Sequence, residues 1–121
     1  MKFVTFEDPL GNTQYGLTDE LHVYPLGSDY PKTMLEFIQN HERYMSQIST
    51  NKLDKAYSLK EVNLLAPLPN PPSIRDFMAF EEHIVNAAKQ IGMEVAEAWY
   101  EIPAFYFTNH LVVSGHQDYV E

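Results

Sequence analysis

The chain has 121 residues, 45% of them hydrophobic and 13% aromatic, with seventeen acidic against eight basic side chains, a formal charge of -9 and no cysteine. That length suits one ordinary domain, or a small domain with the start of another, and the apolar content is enough for a core. The acidic balance argues against nucleic acid as a main partner, since phosphate binding needs clustered Lys and Arg, and the missing cysteines exclude a disulfide scaffold, thiolate metal sites and a cysteine nucleophile.

No apolar run approaches the roughly 18 residues of a membrane span, and "MKFVTFEDPLG" is too short and charged for a signal peptide. A soluble cytoplasmic protein is the expectation. "KFVTF" at 2–6 reads as a strand, "DPLGN" as a turn, and "TQYGL" and "LHVYPL" as two further short strands. Thr33 followed by Glu36 is a capping-box signature, and Met34, Leu35, Ile38, Met45 and Ile48 predict an apolar helix face over about 33–47. "SLKEVNLLAP" reads as another strand. These elements predict a compact α+β unit over 1–66.

Pro67, Pro69, Pro71 and Pro72 then crowd into "APLPNPPS". Each ring fixes its own φ and biases the residue before it toward extended geometry, so the segment is a stiff connector and a unit boundary. Residues 67–121 follow as a second part: a helix ending at "QIG", where Gly92 suits a left-handed cap, the aromatic run "WYEIPAFYF", and a last strand "LVVSG". One helix and one or two strands are too few to close a sheet, so this part reads as the start of a mixed, β-rich domain. The aromatic run reads as core, with Tyr100 and Tyr106 needing hydroxyl partners if buried.

The stretch "SIRDFMAFEEHIVNA" at 73–87 carries the chemistry. At about 100° per residue, Phe77, Phe80, Ile84, Ala87, Ala88 and Ile91 form one stripe, and Asp76 and His83 lie within about 20° of each other at its edge. A carboxylate is a hard ligand for Mg²⁺ or Ca²⁺, and an imidazole can take a proton from water. Two helical turns hold the groups about 10 Å apart, so they can share a substrate but not a proton. The bland alternative is equally concrete: Ser73 and Asp76 as a helix start, and His83 as a surface histidine. His22, His41, His110 and His116 form no metal-ligand spacing, and no nucleophile elbow, phosphate loop or dinucleotide fingerprint is present.

The segment "LLAPLPNPPSIRDFMAFEEHIVNA", with "WYEIPAFYFTN" and "VVSG" downstream, resembles the fumarylacetoacetate hydrolase family of metal-dependent hydrolases, and "YGL", "YP" and "MLEFI" are similar to that family's small lead domain. The resemblance covers nearly the whole chain, and R-D-F-x-x-F-E-x-H followed by W-Y-x-I-P-x-F-Y is its most specific part. It implies cleavage of carbon-carbon bonds in diketo or oxo acids. His83 is then the general base, Asp76 a ligand of a divalent metal (Mg²⁺, Mn²⁺ or Ca²⁺), and Tyr106 a residue of the substrate cleft. Met78 stands where some members have a tyrosine, and it cannot donate a hydrogen bond. Gln90, Ile91 and Gly92 occupy the neighbourhood of an expected substrate-binding arginine.

The family's other metal ligands, a Glu-x-Glu pair and a later aspartate, belong to a sheet beyond Glu121. The expectation is therefore the N-terminal portion of a larger hydrolase, inactive alone, holding no metal tightly, partnered by the missing catalytic region and prone to homo-oligomerise. The alternative is a non-catalytic association domain that completes the sheet of a partner chain.

Overall fold

The computed structural model describes residues 2–48, 53 and 55–120. It is an α+β structure that divides into two units, Met1–Pro71 with Val112–Glu121, and Pro72–Leu111. The division lies within the proline run. Residues 112–120 group with the first unit rather than the second, and Gly115 is one reason. A Cβ there would stand 2.8 Å from the Leu65 Cα, so only glycine lets the backbones approach this closely.

In the first unit β1 (Lys2–Glu7), β2 (Thr13–Thr18), β3 (His22–Pro25), β4 (Tyr57–Ser58) and β5 (Asn63–Leu64) form an antiparallel sheet of order β4-β3-β2-β1-β5. The β1–β2 hairpin runs from Lys2 opposite Thr18 to Glu7 opposite Thr13. Its turn is the expected "DPLGN": Gly11 takes φ 82°, and the buried Asp8 carboxylate accepts from the backbone N–H groups of Leu10 and Asn12 at 2.9 and 3.0 Å. The single strand expected over "SLKEVNLLAP" is two short strands with a 3₁₀ turn, Leu59–Glu61, between them, started by Ser58 and Glu61 as a second capping box.

The capping box at Thr33 and Glu36 is present and opens α1 (Met34–Gln39). The helix expected over 33–47 nevertheless breaks at Asn40, where φ -123° and ψ 24° leave the helical region and α2 (His41–Met45) starts afresh. Asn40 Nδ2 donates to the Glu36 carbonyl at 2.8 Å, a side-chain bond that competes with helix continuation. The break resets the helical phase of the residues after it, and within α1 the inward side runs through Met34 and Phe37. Met34 and Phe37 are buried, while Ile38 and Met45 are exposed. Phe37 is the hub, with ring centroids 5.2 Å from Phe3, 5.9 Å from Tyr15 and 6.0 Å from Tyr44.

The second unit holds β6 (Ile74–Phe77) paired antiparallel with β7 (Phe105–Thr108), α3 (Glu81–Gln90) and α4 (Ala98–Glu101). Here Gly92 does close its helix. It has φ 68°, its N–H donates to the Lys89 carbonyl at 3.1 Å, and the Met93 N–H reaches the Ala88 carbonyl at 2.9 Å, the Schellman arrangement. The expected strand at "LVVSG" is not formed, and residues 111–115 are irregular. The aromatic run is not core either, since every residue of β7 is exposed. Among the described residues no helix is long and apolar enough to cross a membrane.

Candidate active site

Asp76 and His83 do not share a helix. Asp76 lies in β6, and His83 in the first turn of α3, which begins only after Phe80. Ser73 does not cap; its Oγ instead accepts from the Arg75 guanidinium at 3.0 Å. The physical reason is pairing. Register places Ile74 opposite Thr108, Arg75 opposite Phe107, Asp76 opposite Tyr106 and Phe77 opposite Phe105. The Met78 N–H extends the ladder to the Ala104 carbonyl at 3.1 Å. Aromatic cross-strand partners suit a pleated surface and outweigh the helical periodicity of the same stretch.

This register sorts the side chains. Directly opposed residues project from the same face, and alternation sends their neighbours to the other. Asp76 and Tyr106 therefore stand side by side on one face. The opposite face carries Phe77 against Phe105, centroids 5.1 Å apart, with the Arg75 guanidinium 5.4 and 5.0 Å from the Phe105 and Phe107 ring centres. Met78 follows β6 immediately and is half-buried, whereas Asp76, His83 and Tyr106 are exposed. Spacing alone could not join Asp76 to Tyr106, nor could it show Arg75 stacked on the rings.

His83 is presented by α3, whose start carries Glu81 and Glu82 to complement the helix dipole. Glu81 is tied in turn by the Tyr100 hydroxyl, which donates to its Oε1 at 3.0 Å. That bond to a carboxylate raises the Tyr100 phenol above its usual range, and it gives Tyr100 the partner its sequence position calls for. Among the described residues the side chains of Asp76, His83 and Tyr106 make no hydrogen bond, so the strand pair unites Asp76 with Tyr106 while His83 stands on a separate element.

A hard divalent cation takes about six oxygens, usually with more than one carboxylate. Among the described residues no group of three or more His, Cys, Asp or Glu comes together. Asp76 can be one ligand, but the donor set does not fit a complete metal site. No family model, no curated protein and no solved structure matches the chain.

Proposed function

We propose that the chain carries part of the active site of a cytoplasmic metal-dependent hydrolase cleaving carbon-carbon bonds in small diketo or oxo acids. The observation that supports it best is the β6–β7 register, which sets Asp76 beside Tyr106 on an open sheet face. A carboxylate oxygen next to a phenol suits an oxygen-rich substrate: one offers a hard ligand, the other a hydrogen-bond donor. Tyr106 and Met78 line that side, Met78 adding apolar contact without a donor. His83, exposed at the start of α3, is suited to take a proton from water. The remaining metal ligands come from outside the described residues, and no chemical step is assigned to a metal held by this chain alone.

The test has two arms. Calorimetric titration of the 121-residue chain with Mg²⁺, Mn²⁺ or Ca²⁺ shows no binding tighter than millimolar. In the assembled enzyme, assayed on acylpyruvates and oxaloacetate, His83→Ala abolishes turnover with metal affinity intact, and Asp76→Asn weakens metal binding. Normal turnover in His83→Ala would refute the general-base role.

A further inference from the structure

His83 stands at the third position of α3, and little in the helix itself holds that turn in place. Phe80 occupies the N-cap without a side-chain hydrogen bond, so no side chain caps the first turn, and no residue of the helix is buried. A helix start with neither cap nor buried contacts opens first. Among the described residues one side-chain hydrogen bond leaves α3, accepted by Glu81 Oε1 from the Tyr100 hydroxyl at 3.0 Å, and His83 has none of its own. The helix start therefore decides where the imidazole stands.

Tyr100 belongs to α4, and Ile102, Pro103 and Ala104 lead from that turn into β7, where Tyr106 stands opposite Asp76. On the other side Met78, Ala79 and Phe80 lead from β6 into α3. The start of α3 is thus attached to the strand pair twice: through this short backbone link, and through the Tyr100–Glu81 bond to the chain that enters β7. One attachment leaves the direction of the turn free, and the second fixes it. The phenol is itself oriented, for the Trp99 ring meets it edge on, with centroids 4.9 Å apart and planes at 88°. A hydroxyl bonded to a carboxylate makes a strong hydrogen bond, but Tyr100 is 58% exposed, so water keeps its effect below an order of magnitude.

We propose that Tyr100 is a positioning residue for His83: through Glu81 its hydroxyl fixes the first turn of α3, and the imidazole on it, relative to the strand pair that carries Asp76 and Tyr106. The inference rests on the general-base reading of His83 given above. A base moved out of line by about an ångström loses rate while the substrate still binds, so the effect falls on kcat.

Two measurements separate the tether from the chemistry. In the 121-residue chain, hydrogen exchange followed by NMR compares the Ile84 amide, which donates to the Phe80 carbonyl at 3.2 Å, with the Met93 amide, which donates to the Ala88 carbonyl at 2.9 Å at the far end of the helix. Tyr100→Phe speeds exchange at Ile84 about fivefold and leaves Met93 unchanged. An unchanged Ile84 rate overturns the tether, and so does an equal gain at Met93, which would mark general loosening of the unit. In the assembled enzyme Tyr100→Phe lowers kcat about fivefold, with KM and metal affinity unchanged. Glu81→Ala falls as far, and the double variant no further, because the two side chains act together. Glu81→Gln also discards the charge beside the helix dipole but keeps an acceptor oxygen, so it stays within about twofold of the parent. Parental kcat in Tyr100→Phe beside an inactive His83→Ala, additive losses in the double variant, or equal losses in Glu81→Gln and Glu81→Ala each overturn the positioning role and leave the base assignment standing. Normal turnover in His83→Ala removes the base itself, and this inference with it.

Discussion

Gly16 is the position where a single methyl group should do the most damage to the first unit. It lies in β2 opposite Pro25 of β3, and no left-handed conformation is involved. An added Cβ would stand 2.7 Å from the Tyr24 carbonyl carbon and 2.9 Å from the Pro25 Cα, and it would press on the Tyr24 carbonyl oxygen. Carbon–carbon contacts settle at about 3.5–4.0 Å, so Gly16→Ala must push β3 away by about 1 Å. Backbone atoms cannot rotate aside as a long side chain can. The β2–β3 pairing spans Gly16 to Thr18 against Val23 to Pro25, too short to absorb such a shift without losing hydrogen bonds. One or two bonds at about 1 kcal/mol each, with loosening around the fully buried Val23, put the loss at roughly 2–4 kcal/mol, at or above the usual range for overpacking. Urea unfolding followed by circular dichroism measures it as a lower midpoint with an unchanged slope. A loss under about 0.5 kcal/mol, the scale of an ordinary surface substitution, would refute the reasoning and mean that β3 yields at no cost.

Two further predictions concern pH. The Asp8 carboxyl is held below its ordinary value of 3.8, first by the Asn12 backbone N–H and also by the Asn12 and Gln14 amides and the Leu10 N–H, against an opposing effect of burial. A lowered folded value means that the stabilisation is present above the unfolded value and is lost as pH falls through the folded one; the urea midpoint should therefore drop below about pH 4. Asp8→Asn should flatten that drop and lower the midpoint at neutral pH, and an acid limb identical to the parent's would exclude Asp8 as its source. Tyr15 behaves oppositely: burial pushes its phenol up to about 12, with the nearby Glu36 adding to the effect. Its contribution is complete below about pH 10 and is lost as pH rises toward 12. Tyr15→Phe, which also removes the hydroxyl bond to the Pro31 carbonyl at 2.7 Å, should shrink the alkaline loss seen by the same assay.

The sites where local chemistry decides were readable in the sequence. Thr33 with Glu36, Gly11 in "DPLGN" and Gly92 after "KQI" each act through neighbours a few residues away, and each takes the geometry expected of it. The α+β class follows from the same short-range signals. Ser73 followed by Asp76 is a helix-start pattern like that of Thr33 and Glu36, yet it lies in extended chain. What separates the two cases is long-range: β6 finds an aromatic partner strand in β7, and a periodicity count within one segment carries no information about that partner. Asn40 is the converse, a residue whose own side chain bonds the preceding turn, and the helix that restarts after it carries Met45 to the surface instead of the core.

For the candidate site the distinction has a direct chemical consequence. On one helix, Asp76 and His83 would keep a fixed separation set by helical rise, whatever the rest of the chain did. On a strand pair, the direction of Asp76 is set by the register of β6 on β7, and side chains alternate with a period of two. A slip of one residue would send Asp76 to the face now held by the phenylalanines and turn Phe77 and Arg75 toward the open side. The contact of Phe77 with Phe105 and the stacking of Arg75 over Phe105 and Phe107 resist that slip, because all of these contacts would be lost together. The apolar face is thus what holds the carboxylate beside Tyr106.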